Sequence, residues 1–226
     1  GNVLQRLGRL PEAESSYRRA VELEPEHYEA HNNLANLLQA VGRSLESDAS
    51  CRRALEIRPD LHEAHNNLGN AAASLGRLPA AVASYRRAIE LESDYHHAYS
   101  NLGVALQALG RLPEAVASCR RAIEIAPDFH EAYNNLGNVL FELRRQIEAE
   151  TDYRRALELA PEFHQAHSNL GTVLWELGRL LEAETSGAGA REPGTAYRDA
   201  TRLLESVRRL RPDDPDALYN LATIRF

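Results

Sequence analysis

Apolar and polar positions along this chain repeat with the period of a helix rather than of a strand. Between His62 and Tyr95, Ala64, Leu68, Ala71, Ala72 and Leu75 recur at helical spacing. A second stripe follows in Ala81, Val82, Tyr85, Ala88, Ile89 and Leu91. Gly76 stands between the stripes, where a first helix would end in a left-handed turn. Pro79 follows at the start of the second stripe, where a missing N–H costs nothing. Pro11 and Pro113 take the same place elsewhere. Asp60, with Glu63 three residues on, is expected to cap the first helix as a capping box. Two short helices of this kind are marginal alone in water. Each must pack on its partner and on the next pair, so stability is expected to come from stacking.

The pair recurs. Gly8, Gly42, Gly76, Gly110 and Gly178 fall on one comb of spacing 34, with Arg144 in the missing place. Pro25, Pro59, Pro127 and Pro161 form another, interrupted by Ser93. Asn33, Asn67, Asn101, Asn135 and Asn169 form a third, and Leu34, Leu68, Leu102, Leu136 and Leu170 a fourth. The expected organisation is one array: a partial repeat at 1–27, and full repeats at 28–61, 62–95, 96–129 and 130–163. A longer repeat follows at 164–214, then a partial one at 215–226. The longer repeat holds about 17 extra residues near 178–194, in a Gly-rich stretch that reads as a loop. That stretch is either a tolerated surface insertion or gene-model error, or else a hinge or docking loop. Gly1 and Phe226 both fall inside a first helix of the pattern, so the array is expected to continue in both directions.

These offsets resemble the tetratricopeptide repeat family. Tyr99, Leu102, Gly103, Leu106, Ala115, Cys119, Ala122 and Pro127 occupy the family's signature places in one unit. His31, Leu34, Ala35, Leu38, Ser47, Cys51, Ala54 and Pro59 occupy them in another. His replaces the first aromatic at 31, 65 and 167, and Cys replaces a later one at 51 and 119. The resemblance implies an all-α, right-handed superhelical solenoid of 34-residue helix-turn-helix repeats, with the first helices lining a concave face.

Composition narrows the function. With 33 acidic and 26 basic residues the formal charge is −7, and every basic residue is Arg. That balance argues against a nucleic-acid groove, which needs a basic stripe. No apolar run is long enough to span a membrane, and no basic, apolar leader opens the chain. Absent targeting signals lead to an expected cytoplasmic location. Two Cys, two units apart, are too distant to bond to each other. Local pairs such as His62/His65 and His164/His167 lack further ligands nearby, so no metal is expected. No cofactor motif and no catalytic set emerges: Ser16, Ser50, Ser84 and Ser118 are serial copies with no repeated base beside them.

The sharpest candidate is the Asn comb. Asn inside a helix is poorer than Ala by roughly 0.5 kcal/mol, so a row in register asks for a reason. Its side chain has one acceptor and two donors and can pair with the C=O and N–H of one peptide unit. Asn32, Asn66 and Asn134 precede comb members, and Asn36, Asn70 and Asn138 follow one turn later, with Val104 in that place on another helix. The face is therefore amide-rich and almost without basic residues, which argues against a carboxylate clamp. Neighbouring repeats lie about 10 Å apart and an extended peptide rises ~3.3 Å per residue, so a ligand would meet an Asn about every third residue. The expected function is a protein interaction scaffold that binds an extended protein or peptide segment. The Asn row is also similar to the superhelix of O-GlcNAc transferases. That likeness implies an alternative, a substrate-recruiting arm of such an enzyme, itself non-catalytic. Self-association through uncapped ends is a further expectation. On the second helices Arg18/Arg19, Arg52/Arg53, Arg86/Arg87, Arg120/Arg121 and Arg154/Arg155 are expected to pair with Glu22, Glu56, Glu90, Glu124 and Glu158.

Overall fold

A computed structural model describes residues 1–185, with side-chain surroundings for 1–177. The elements there are all α-helices: α1 (Asn2–Arg6), α2 (Leu10–Leu23), α3 (Tyr28–Ala40), α4 (Ser44–Ile57), α5 (His62–Ser74), α6 (Leu78–Leu91), α7 (His96–Ala108), α8 (Leu112–Ile125), α9 (His130–Glu142), α10 (Gln146–Leu159) and α11 (His164–Thr185). Contacts divide the chain into two compact units, Gly1–Ile125 and Ala126–Phe226. In the first, each helix packs on the next, and α5 also meets α3 on one side and α7 on the other. In the second, α9 packs on α10, α10 on α11, and α9 on α11.

The turn within each pair forms as the glycine comb predicts. Gly76 has φ +72°, and Arg77 N–H reaches back to the carbonyl of Ala72 at 2.8 Å. This is the six-to-one bond that ends a helix in a left-handed residue. Arg144 takes the same conformation at φ 59° without being glycine. A side chain there costs roughly 1–2 kcal/mol, which the packing of α9 on α10 sustains. Pro11 and Pro79 lie in the first turns of α2 and α6, where no donor is lost.

The cap expected from Asp60 and Glu63 does not form. Leu61 is the N-cap of α5 and no side chain bonds to the helix start. The extended backbone of the inter-repeat turn leaves Asp60 outside the first turn, where it pairs with Arg58 at 3.2 Å. A second difference concerns Gly178. The comb places a helix stop there, yet α11 runs through it to Thr185. The stretch read as inserted lies, from residue 186 on, outside the described residues.

Alanine dominates the interior. Ala64, Ala81, Ala88, Ala98, Ala115 and Ala122 are all fully buried. Small side chains bring paired helices close, and the larger residues fill what remains. Tyr85 lies across Gly69 so closely that a Cβ there would stand 2.5 Å from its ring. Tyr153 covers Gly137 in the same way, and the thiol of Cys119 covers Gly103. These contacts hold the first and second helix of a pair in register and fix which face of the first helix looks outward.

Candidate functional site

The amide residues singled out by sequence lie on the first helices, and the structure ties many of them to one another. Asn67 on α5 donates from Nδ2 to Oδ1 of Asn32 on α3 at 2.9 Å. Asn101 on α7 donates to Asn66 on α5 at 3.0 Å. In the second unit Asn169 on α11 donates to Asn134 and Asn138 on α9, at 3.0 and 2.9 Å. Each comb asparagine in these pairs thus reaches one repeat back. A parallel bond joins Gln39 to the hydroxyl of Ser74 at 2.7 Å.

Burial grades the row. Asn66, Asn67 and Asn134 retain only 4, 7 and 6% of their exposure. Asn32, Asn33, Asn70, Asn101, Asn135, Asn138 and Asn169 are half-buried, and Asn36 is exposed. Asn135 is also bonded. Among the described residues, buried side-chain polar atoms without a hydrogen bond occur on Gln39, Glu63, Glu131 and His167, and on no asparagine. The Nδ2 of Asn66 and the Oδ1 of Asn67, which their neighbour bonds do not use, therefore reach solvent. The two side chains are sunk into the helix layer with one polar edge open.

Sequence reasoning missed the tyrosines behind this face. Tyr85 OH donates to Asn70 Oδ1 at 2.8 Å, and Tyr153 OH to Asn138 Oδ1 at 2.8 Å. Tyr17 OH donates to Asn2 at 2.5 Å and to Gln5 at 3.0 Å. Burial pushes the hydroxyls of Tyr85 and Tyr153 well above the usual phenol range, so they stay protonated donors. A signal was present: Tyr17, Tyr85 and Tyr153 each follow an Asn by fifteen residues. Where Cys119 stands in place of Tyr, the Asn place holds Val104, 44% exposed. Where Cys51 stands, Asn36 is instead bonded by Gln5 at 3.2 Å.

The histidines have a local task. His31, His65 and His167 place Nε2 at 3.0, 2.9 and 2.7 Å from the carbonyls of Pro25, Pro59 and Pro161. Tyr133 OH donates to the carbonyl of Pro127 in the same way at 3.2 Å. The family's first aromatic is replaced by a ring that still supplies a donor to the inter-repeat turn. Among the described residues no group of three or more His, Cys, Asp or Glu is placed to hold a metal. Neither Cys51 nor Cys119 is in a disulfide, both are fully buried, and burial pushes the Cys51 thiol up to about 12.

Charge is sorted by helix. On α3, α5 and α7 the formally charged residues are Glu29 and Glu63, and none is Arg. On the second helices Arg19, Arg53, Arg87, Arg121 and Arg155 pair with Glu22, Glu56, Glu90, Glu124 and Glu158 at 2.8 to 3.1 Å. The other Arg of a pair turns elsewhere: Arg52 to Asp48 at 2.6 Å, and Arg86 to Glu114 of the following repeat at 3.3 Å. Sequence reasoning also passed over the Arg at the helix starts. Arg9, Arg43, Arg111 and Arg145 each hold the Glu three residues on in a two-point grip, donating from Nε and Nη2 along one guanidinium edge.

Models of the tetratricopeptide repeat match residues 1–62 with 134–196, 94–162 and 69–110. The chain belongs to the tetratricopeptide repeat family. Solved structures agree on the fold. MamA is similar at 24% identity, with a TM-score of 0.60, over 72% of this chain and 95% of its own. YrrB, described as a tetratricopeptide repeat protein with an unusual peptide-binding site, is 22% identical with a TM-score of 0.57, over 90% of this chain and 96% of its own. A chain of the Cut9–Hcn1 hetero-tetramer aligns at 18% identity with a TM-score of 0.83, over 98% of this chain and 41% of its own. The comparison with curated proteins returns no match. Among the described residues no helix of this tetratricopeptide array is long and apolar enough to cross a membrane.

Proposed function

We propose that the protein is an interaction scaffold whose first-helix face holds an extended segment of another protein. The observation that carries this reading is the state of Asn66 and Asn67. Both are more than nine-tenths buried and fixed by neighbouring amides, yet each keeps a polar edge at the surface. Such groups are held in place before a ligand arrives, so little rotamer entropy is lost when they bond to it. An Asn offers both donor and acceptor, and so suits peptide backbone more than any particular side chain. Asn67 and Asn101 in the first unit, and Asn135 in the second, are the contacts the reading depends on. YrrB's described peptide-binding site supports a peptide as the class of partner.

The test is to replace Asn67, Asn101 and Asn135 together with Ala and measure binding to twelve-residue peptides selected by display on the wild-type chain. Binding is expected to weaken at least tenfold while the helical circular dichroism is retained. Stability should fall as well, because each lost inter-repeat hydrogen bond is worth about 0.5–1.5 kcal/mol. Unchanged affinity in a folded triple variant sinks the reading.

A further inference from the structure

Amides that read peptide backbone carry no register. Every residue of an extended segment presents the same C=O and N–H, so a segment held by Asn67 and Asn101 alone can slide along the face. A place that differs from its neighbours is needed to stop it. In the first unit the outward stripe of each first helix runs at helical spacing. It is Glu29, Asn33, Asn36 and Ala40 on α3, and Glu63, Asn67, Asn70 and Ser74 on α5. On α7 it is His97, Asn101, Val104 and Ala108. That helix keeps the comb asparagine and loses both the carboxylate and the second amide.

Val104 is 44% exposed, and among the described residues of α3, α5 and α7 it is the one large apolar side chain lying exposed within a helix. The packing behind it does not dictate this. Cys51 also stands where Tyr85 stands, yet Asn36 remains in front of it, exposed and bonded by Gln5 at 3.2 Å. Losing the phenol therefore does not require losing the amide. A β-branched residue is a poorer helix former than Ala, and the exposed part of its side chain gains nothing from the fold. Ala108 lies exposed one turn on, so the methyls of the two face outward together. No carboxylate on α7 holds water beside them, since His97 stands where Glu29 and Glu63 stand on α3 and α5. We infer that Val104 is the specificity-determining residue of this face. It receives one apolar side chain of the extended partner and so fixes the partner's register against Asn67 and Asn101. The occupant is a segment with an apolar side chain at that one point and no required side chain at the peptide units the two asparagines meet. Those units lie about three residues apart, given ~10 Å between repeats and a rise of ~3.3 Å per residue.

This register site belongs to the binding face proposed above and rests on that reading. The probes are twelve-residue peptides selected by display on the full chain. They are expected to share one apolar residue at a constant position. Replacing that residue with Ser should weaken binding to the wild-type chain about fivefold or more, the scale of one apolar side chain leaving a contact. The variant is Val104→Asn with Cys119→Tyr, which restores the pair that Asn70 and Tyr85 make. Gly103 stands under Cys119 as Gly69 stands under Tyr85, so the ring has a place. In that variant the parent peptide should bind about as weakly as the Ser peptide, with less than about a twofold difference between them. Val104→Ser, at an exposed position, gives the same comparison without touching the interior. Loss of the difference between the two peptides is a coupling of the two residues, which a merely structural part for Val104 would not produce. Selected peptides that share no apolar position, or a Ser replacement equally costly in the wild type and both variants, overturns the inference. If Asn67→Ala with Asn101→Ala leaves affinity unchanged, the face itself is wrong and the proposed function falls with it. If that pair weakens binding while the apolar residue is dispensable, only the register site is lost.

Discussion

At the scale of single residues, helix pairing turns on close approach at one position. Gly69 lies under the ring of Tyr85, and a Cβ there would come within 2.5 Å of it. The ring is itself pinned by its hydrogen bond to Asn70 and by burial, so it has little room to yield. Gly69→Ala should therefore destabilise the protein by about 1–3 kcal/mol, the range for overpacking a tight interior, although Ala is the better helix former. The natural contrast is the pair α3 and α4, where Ala35 and Cys51 stand at the corresponding places, both fully buried, and the Ser47 hydroxyl donates to the Ala35 carbonyl at 2.8 Å. Ala35→Gly should cost the intrinsic propensity difference of about 1 kcal/mol together with the loss of a fully buried methyl. Urea denaturation of the two variants checks both, and a stabilised Gly69→Ala would show that the ring is free to move. The asparagine comb was legible in the sequence because a residue type recurred. Its bonding was not, because Asn67, Asn101 and Asn169 each bond an Asn that sits one place off the comb in the preceding repeat. The Tyr–Asn pairs were recoverable from their fifteen-residue spacing, since Asn70 and Tyr85 become Val104 and Cys119 together one repeat later.

Between elements, a ring of charges links α2 to the start of α4. Arg43 bonds Glu14 at 2.6 Å and Glu46 beside it, and Arg18 bonds Glu14 at 2.9 Å and Glu46 at 3.0 Å. The Arg43 guanidinium, with Arg18, holds the Glu14 carboxyl below its ordinary value, and the same two hold Glu46 low. A carboxyl whose folded pKa lies below its unfolded value, about 4.3 for Glu, adds stability above that value. The contribution is lost as pH falls through the folded pKa. The urea midpoint is therefore expected to drop as pH is lowered from 6 towards 3. Glu14→Gln with Glu46→Gln should start lower at pH 6 and fall less over the same interval. An unaltered pH profile in the double variant would remove this ring from the account. Half-exposed pairs are screened by salt, so the difference between the proteins should also narrow in 1 M salt. The second-helix Arg–Glu pairs were legible from spacing. The Arg at the helix starts were not, because the residues between Arg and Glu differ among the repeats, Leu-Pro in two, Ser-Leu and Gln-Ile in the others. The capping box was misread for a related reason: Asp60 lies beside Arg58, which takes up its carboxylate.

At the scale of the whole chain the period announces the architecture, since a 34-residue spacing with Gly, Pro and Leu in register leaves few alternatives to stacked helix pairs. It does not announce where the period stops being obeyed. Gly76 and Gly178 are the same tooth of one comb, yet Gly76 sits at φ +72° outside α5 while Gly178 lies within α11. Local sequence does not separate them fully. Pro79 follows Gly76 and disfavours helix in the residue before it, and Arg-Leu-Leu-Glu-Ala after Gly178 favours continuation. But Gly42 turns at φ +77° with Ser44 and Leu45 after it and no proline. Gly76 and Gly178 should answer oppositely to one substitution. At Gly76 nothing lies within 4 Å of an added Cβ, so Ala there meets only the left-handed backbone and should cost roughly 1–2 kcal/mol. At Gly178 the helical backbone favours Ala over Gly by roughly 1 kcal/mol, and the variant should be stabilised with a small gain in helical circular dichroism. A loss at Gly178 as large as that at Gly76 would mean that this position also turns, and that the 34-residue pattern continues through it.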